Sequence, residues 1–269
     1  LIKKNIYAYD INLNLINVYK NVQQNKEKLY NFIQFYIDEY KSTESTESTE
    51  SKSEASVINK NANTIEEAKT SKESYYYYLR NKFNELQKIN GNGSNETNDK
   101  SIERSAIFII LTKTCFRGLY REGPNGFNVP FGHYKTTPKI ITREELYSIS
   151  DLIQNVIFVH NCFTKVIGNI KKGDFVYLDP PYAPVNNKSF VNYVSDGFNL
   201  EMHKKLFEEV KLLNNKNIKF LMSNSKVKLV TDYFNENLKD YCNCEDIMAK
   251  RAINSKKPGS IVTEVLIYN

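Results

Sequence analysis

The chain has 269 residues, enough to bury a sizeable core, and its 37 Lys and Arg against 31 Asp and Glu give a formal net charge of +6. Such a mildly basic balance is compatible with a nucleic-acid partner but does not establish one. Four cysteines without C-x-x-C spacing and three scattered histidines argue against a zinc site. No stretch resembles a signal peptide or a membrane-spanning run of about 20 apolar residues. We therefore expect a soluble protein without a metal cofactor or membrane partner, cytoplasmic or nucleoid-associated, or in the host cytoplasm if viral.

The first element is a predicted strand over residues 5–10, which ends in an acid, Asp10. Residues 13–40 follow with apolar positions at helical spacing and predict one helix or two. Asp10 has two interpretations. It caps the following helix, or it holds the ribose hydroxyls of a cofactor, as an acid after the second strand commonly does in doubly wound folds.

A change in composition marks residues 41–72, which are rich in Ser, Thr, Glu and Lys and carry a Ser-Thr-Glu repeat at 42–50. Because such a segment buries little apolar surface, we expect a disordered insertion. An amphipathic helix is predicted over 75–86, with its four tyrosines in packing roles, and a buried helix over 105–111.

Residues 112–139 combine cations with aromatic rings and glycines. Cations meet phosphates, and rings fill space between bases in distorted DNA. The alternative is a small β-hairpin lobe with an ordinary basic surface. The cations are Lys113, Arg117, Arg121, His133, Lys135 and Lys139, and the rings are Phe116, Tyr120, Phe127, Phe131 and Tyr134.

The second half alternates predicted helices and strands and ends in an antiparallel hairpin. Two loops, 186–198 and 255–260, carry basic residues, and we expect the first to order over a bound base and the second to touch phosphate. The predicted helices are 148–155, 200–213 and 230–238, and the predicted strands are 156–159, 175–178, 219–224, 247–254 and 262–268.

The strand 175–178 runs into Asp179, Pro180, Pro181 and Tyr182. Proline cannot continue a strand ladder, so this run predicts a buried strand that stops at a rigid turn, at the sheet edge where α/β proteins bind ligands. Asp179 and the Pro180 carbonyl suit the two hydrogens of an exocyclic amine, and Tyr182 offers a face for a planar base. The alternative is an ordinary strand-to-loop turn with a capping Asp.

Six ordered blocks, this one included, carry a resemblance to the Dam-like, or D12, class of adenine-specific DNA methyltransferases. The resemblance covers most of the chain outside 41–72. The blocks are 7–17 (YAYDINLNLIN), 75–84 (YYYYLRNKFN), 114–121 (TCFRGLYR), 127–132 (FNVPFG), 179–184 (DPPYAP) and 263–267 (TEVLI).

The resemblance implies an α/β fold with a Rossmann-like, S-adenosylmethionine-dependent methyltransferase sheet and a small inserted DNA-recognition lobe. Residues 1–40 and 140–269 would form the catalytic domain, and 73–139 the helical and hairpin lobe. The implied activity is methylation of a flipped adenine in double-stranded DNA, with GATC the commonest target of relatives. Two alternatives stay open: a degenerate or truncated protein that binds DNA or a partner without turnover, and an RNA or protein amine methyltransferase.

The resemblance also implies roles within the recognition segment. Phe116 stands where an aromatic side chain wedges into the duplex, and Arg121 where an arginine reads guanine. Arg117 replaces the Asn that relatives often carry. The remaining implied DNA contacts are Leu119 and Pro130 at base edges, Asn128 and Tyr134 at the loop or phosphate, and Lys135.

For the cofactor, S-adenosylmethionine, the resemblance points to Asp10 at the ribose, Phe163 at the adenine, and Asp179. Cys162 stands where relatives usually carry an acid. Relatives also begin with a glycine-rich turn that cradles the methionine part, and none precedes Asp10. We therefore expect that turn from a missing N-terminal segment or a partner chain, and poor cofactor binding without it.

Overall fold

The computed structural model describes residues 5–47, 58–89, 98–134, 136, 138–184, 198–238, 241–250 and 261–269. The chain divides into two compact units, Leu1–His160 and Asn161–Asn269. Each unit has its own cluster of buried apolar side chains. Lys135, most of the loop 186–198 and the loop 255–260 lie outside the described residues, so the predictions made for them have no structural counterpart here.

The first unit is mainly helical. Its helices are α1 (Leu13–Gln24), α2 (Lys26–Glu47), α3 (Ile65–Ala68), α4 (Lys72–Ile89), α5 (Asp99–Thr114) and α6 (Arg143–Leu152). Its strands are β1 (Ile6–Asp10), β2 (Glu122–Gly123), β3 (Gly126–Phe127) and β4 (Val156–His160).

Polar side chains cap four of the helices described in this unit, α1, α3, α5 and α6. The side chains of Asn12 and Asn98 accept a backbone N–H three residues on, at the starts of α1 and α5. Thr142 and Glu145 form a reciprocal capping box at α6. The apolar faces of α1, α2, α4 and α5 share one core, so the segment 73–139 packs with helices that precede it in sequence. The four consecutive tyrosines of α4 are buried in that core, as predicted.

The strands of the first unit form two small sheets. β1 and β4 are parallel, with Ala8 opposite Phe158 and Asp10 opposite His160. β2 and β3 form a short antiparallel hairpin, as expected for the segment 112–139. An isolated antiparallel bridge between Cys115 and Phe131 joins the segment before β2 to the segment after β3.

The second unit is built on a four-stranded sheet in the order β5-β6-β8-β7. β5 is parallel to β6, whereas β8 is antiparallel to both β6 and β7. Its strands are β5 (Phe175–Leu178), β6 (Lys219–Ser225), β7 (Asn243–Lys250) and β8 (Ile261–Tyr268). Its helices are α7 (Phe163–Val166), α8 (Leu200–Asn215) and α9 (Lys228–Asn237). Both units together give a mixed α/β protein, as predicted.

Three sequence predictions need correction. Disorder across 41–72 was too broad, because α2 continues to Glu47 and Thr64 caps α3, with Ala62 and Ala68 fully buried; residues 48–57 lie outside the described residues. The helix expected at 148–155 runs from Arg143, where the capping box starts it, to Leu152, so residues 153–155 lie outside it. The strand expected at 247–254 begins at Asn243, because β8 pairs with residues 243–246 as well, and residues 251–254 lie outside the described residues.

Neither a membrane span nor a metal cluster is found in the part of the chain that the structure describes. No helix there is long and apolar enough to cross a bilayer. No group of three or more His, Cys, Asp or Glu side chains there is arranged to hold a metal ion.

Candidate functional site

The turn Asp179–Tyr182 follows the last residue of β5, Leu178, as the sequence predicts. The prediction that this strand is buried is wrong, because Phe175 and Tyr177 are exposed and only the alternate residues Val176 and Leu178 are half-buried against the core of the unit. The turn thus leaves the sheet at the carboxyl end of a strand that has a parallel neighbour, β6. Asp179 and Pro181 are exposed, whereas Pro180 and Tyr182 are half-buried. The acid is therefore accessible to a ligand, and the phenol ring is partly embedded behind it.

Two consecutive residues of β6 hold this turn. Ser223 Oγ donates a hydrogen bond to Asp179 Oδ1 at 3.0 Å. Asn224 is fully buried, and its Oδ1 accepts the backbone N–H groups of Ala183 at 3.0 Å and Ser225 at 2.9 Å. The side chain of Asn224 thus ties the residue after Tyr182 to the central strand. Sequence reasoning assigned no role to either Ser223 or Asn224.

Tyr182 is held by a third strand. Its hydroxyl donates to Glu264 Oε2 on β8 at 3.3 Å. Burial raises the pKa of Tyr182; the nearby Ser223 hydroxyl opposes the rise, and the charges of Glu264 and Asp179 add to it. The phenol is therefore neutral at physiological pH and presents an uncharged ring to a ligand. Glu264 lies in one of the recognised sequence blocks, but its contact with Tyr182 was not predicted.

Asp10 lies at the end of β1 and is half-buried. The interpretation of Asp10 as the cap of α1 is wrong, because Asn12 caps that helix. Asp10 Oδ1 instead accepts the backbone N–H of Asn12 at 2.6 Å. One carboxylate oxygen is thus fixed in a local turn, which leaves Oδ2 as the candidate acceptor for ribose hydroxyls.

Phe163 begins α7 and is half-buried. Its ring lies 5.8 Å from that of Phe198. The preceding residue, Cys162, accepts a hydrogen bond from Thr164 Oγ1 at 3.3 Å, which lowers the pKa of the thiol. The pKa of the thiol is thus lowered at the position where the resemblance implies an acid.

The segment 112–139 of the first unit has two consecutive exposed side chains, Phe116 and Arg117, which form its tip. Arg117 has φ 57°, in the left-handed region, and Gly118 follows with φ 64°. The Arg117 guanidinium lies over the ring of Phe116, with its carbon 4.6 Å from the ring centre. Leu119, also proposed at a base edge, is exposed directly after this tip.

Hydrogen bonds fix the base of this tip. Phe116 N–H donates to the carbonyl of Pro130 at 2.8 Å, and Tyr134 Oη donates to the carbonyl of Cys115, also at 2.8 Å. Gly132 lies between them, and a Cβ there would stand 2.5 Å from the Cys115 carbonyl oxygen, so only glycine fits. Phe116 and Pro130, proposed independently from two sequence blocks, are thus direct neighbours.

Arg121 and Asn128 face each other across the hairpin. Arg121 Nε donates to Asn128 Oδ1 at 2.7 Å, and the Asn128 N–H donates to the Arg121 carbonyl at 3.1 Å. Both side chains are exposed. The guanidinium is therefore held from one side while it remains accessible.

Helix α4 supports the hairpin through side chains that the sequence did not reveal. Asn84 Oδ1 accepts the Phe127 N–H at 2.8 Å, and Asn84 Nδ2 donates to the Phe127 carbonyl at 3.0 Å. Tyr76 Oη donates to the Val129 carbonyl at 2.7 Å. Asn84 and Tyr76 lie in the sequence block 75–84, for which the family resemblance implied no roles of individual residues.

An α/β protein with an exposed acid and a proline-stiffened turn at a strand end, and with a separate basic and aromatic hairpin, matches the expected class of methyltransferases. The sequence model of the family described as D12 class N6 adenine-specific DNA methyltransferase matches residues 2–253. The chain belongs to that family.

Individual relatives agree with this assignment. A type II methyltransferase, M.MjaIII of Methanocaldococcus jannaschii, is 32% identical over 99% of this chain and 80% of its own length. The type II methyltransferase M1.LlaDCHI of Lactococcus lactis subsp. cremoris is 35% identical over 62% of this chain and 59% of its own. A DNA adenine methylase of Haemophilus influenzae is 32% identical over 60% of this chain and 52% of its own. These relatives favour adenine methylation over the alternatives of an RNA or protein methyltransferase and a binding-only protein.

Proposed function

We propose that this adenine-specific DNA methyltransferase transfers a methyl group from S-adenosylmethionine to the exocyclic N6 of an adenine flipped out of double-stranded DNA, at a GATC-like site. The proposal includes a Rossmann-like catalytic domain of residues 1–40 and 140–269 and a recognition lobe of residues 73–139. Nothing in the described residues or in the relatives supports the partner chain expected from the sequence, so it is left out.

The observation that carries the proposal is the turn at the end of β5. Asp179 has one oxygen held by Ser223 and one left for an amine hydrogen. The Pro180 carbonyl, beyond the strand ladder, accepts the other amine hydrogen. Hydrogen bonds in the plane of the base leave the nitrogen lone pair directed out of it, toward the methyl donor. The Tyr182 ring stacks on the base, which stabilises the flipped state by about 1–3 kcal/mol.

The residues assigned to S-adenosylmethionine fit its chemistry. A carboxylate oxygen of Asp10 suits two neighbouring ribose hydroxyls, because both are hydrogen-bond donors. The half-buried ring of Phe163 suits the adenine of the cofactor. When bound, the cofactor supplies the electrophilic methyl group. The protein contributes position and electrostatics, with no covalent enzyme intermediate.

The recognition segment would open the duplex and select the site. The exposed ring of Phe116 wedges into the stack, and Arg121 reads a guanine through its accessible guanidinium. Arg117, Leu119, Pro130, Asn128, Tyr134 and Lys135 provide the remaining contacts with bases and phosphates.

The test measures N6-methyladenine by mass spectrometry after incubation with S-adenosylmethionine and a duplex containing GATC. Duplexes with other adenine-containing sites, single-stranded RNA and protein serve as competing substrates. We expect duplex DNA to be methylated and Asp179→Ala to abolish transfer while DNA affinity is retained. Asp174→Ala is the matched control, because this acid precedes β5 at its opposite end and bonds only the local turn at Lys171. Turnover by Asp179→Ala, or methylation confined to RNA or protein, would overturn the proposal.

A further inference from the structure

Ser223 holds the acid of the turn from the neighbouring strand. Its Oγ donates a hydrogen bond to Asp179 Oδ1 at 3.0 Å. It lies on β6 and is 5% exposed, whereas Asp179 is exposed to solvent. A rigid strand therefore presents a fixed hydroxyl from beneath the turn.

Glu264 provides a second fixed point from β8. The strand register pairs Glu264 with Ser225, two residues after Ser223 on the neighbouring strand. The Glu264 carboxylate accepts the Tyr182 hydroxyl at 3.3 Å. The Tyr182 hydroxyl is thus held from β8, while Asp179 is held from β6.

We propose that Ser223 and Glu264 are positioning residues for methyl transfer, which deepens the proposed function and rests on it. Ser223 fixes the carboxylate of Asp179 so that Oδ2 meets the amine hydrogen. Glu264 fixes the plane of the Tyr182 ring against the base. Neither residue touches the substrate.

This geometry predicts which kinetic constant should change when the support is removed. An exposed aspartate without Ser223 samples several rotamers, of which only one directs the amine lone pair correctly. A misplacement of about 1 Å costs on the order of 100-fold in rate when chemistry depends on alignment. The cost falls on kcat, because DNA is bound mainly by contacts outside this turn.

The chain offers matched controls for both residues. Ser225 lies on the same strand and is buried to the same degree, at 4% exposed, and among the described residues its side chain has no hydrogen bond to Asp179 or Tyr182. Glu208 accepts the hydroxyl of Tyr233 at 2.7 Å, so it forms an equivalent Tyr–Glu pair between α8 and α9. Ser225→Ala and Glu208→Ala therefore remove the same chemical groups as Ser223→Ala and Glu264→Ala, but groups that are not hydrogen-bonded to Asp179 or Tyr182.

The experiment compares kcat and KM for a duplex that the wild-type protein methylates, with 2-aminopurine fluorescence at the target position as a separate readout of base flipping. We expect Ser223→Ala to lower kcat by roughly 10- to 100-fold with KM for DNA within about twofold and the flipping signal preserved. Ser223→Thr should restore most of kcat. Glu264→Ala should lower kcat and change the fluorescence of the flipped base, and Glu264→Gln should restore both, because its amide oxygen also accepts the phenol hydrogen.

The proposal is overturned if kcat of Ser223→Ala or of Glu264→Ala stays within about twofold of wild type. It is also overturned if the control variants lose as much kcat as these two, since the loss would then reflect general packing. Circular dichroism and thermal melting establish that each variant is folded. Failure of the wild-type protein to methylate any duplex would instead reject the proposed function itself.

Discussion

Asn128 holds the guanidinium of Arg121 through a 2.7 Å hydrogen bond between Nε and Oδ1, across a hairpin in which the two residues are also joined by their backbones. The restraint acts on Nε and on Nη2, which donates to the Asn128 carbonyl at 3.4 Å, and it leaves Nη1 and the second hydrogen of Nη2 for other partners. An arginine held in this way is prepared for two parallel hydrogen bonds to one guanine edge.

This arrangement predicts that Arg121 and Asn128 act as a unit in site selection. Arg121→Ala should reduce discrimination at one base pair by about 1–3 kcal/mol, the range for a lost bidentate base contact. Asn128→Ala should cause part of that loss, and the double variant little more than Arg121→Ala alone. Methylation rates on a panel of single-base variants of the target would measure this. Asn125→Ala, at the exposed tip of the same hairpin, is the control, and strict additivity would contradict the coupling.

Asn84 predicts a link between the stability of the hairpin and its specificity. Asn84→Ala would leave the N–H and carbonyl of the buried Phe127 without their partners. The free energy of unfolding should fall by about 1–3 kcal/mol, and discrimination between sites should weaken. Thermal or urea unfolding with the same substrate panel would measure both. Asn81→Ala, one turn earlier on α4, removes an exposed 3.4 Å contact and should change neither.

The left-handed backbone of Arg117 leads us to expect that its replacement changes protein stability and DNA affinity in opposite directions. Its φ of 57° costs a non-glycine residue about 1 kcal/mol, and asparagine tolerates this region better. Arg117→Asn should therefore raise the melting temperature slightly while it weakens DNA binding and reduces the salt slope by about 1. Lys113→Asn is the control, because Lys113 is an exposed cation in the last turn of α5 without left-handed backbone. A lower melting temperature for Arg117→Asn, or an unchanged salt slope, would refute this.

The burial of Arg104 leads us to expect that an apolar substitution there does not destabilise the protein and can stabilise it. It is a nearly buried guanidinium stacked over Phe83 at 4.8 Å, and Nε and Nη2 have no hydrogen-bond partner among the described residues. Burial lowers the pKa of Arg104, because it disfavours the charge; Tyr120 and Glu122 oppose that effect. Arg104→Met should leave the protein as stable or stabilise it by about 1–4 kcal/mol. Urea unfolding beside the exposed control Lys100→Met would measure this, and a large destabilisation would show that the charge is needed.

The sequence predicts well the elements that local pattern alone determines. The bounds of β5 are correct, because an apolar run stands between a turn at Asp174 and the double proline. The start of α6 was missed, although Thr142 and Glu145 carry the spacing of a capping box. The start of β7 could not be predicted from its residues, since Asn243–Asp246 are polar and exposed and form a strand only by pairing with β8.

The candidate site also combines residues that a local motif predicts with residues that only the pairing of distant strands brings together. Asp179 and Tyr182 were found from a short motif, but Ser223 and Glu264 were not. The two hydrogen bonds join residues 44 and 82 positions apart, and they depend on the register of three strands. The neighbours of a serine on adjacent strands cannot be predicted from the sequence until the strand register is known.

The interior position of β8 has a consequence for synthesis of the protein. Because β8 lies between β6 and β7, the edge of β6 has no neighbour on that side until residues 261–268 have left the ribosome. The same residues bring Glu264 to Tyr182. A premature stop codon before residue 261 would therefore yield a product with an open, aggregation-prone edge and an unsupported phenol, so translation must pass this point before the enzyme can become competent.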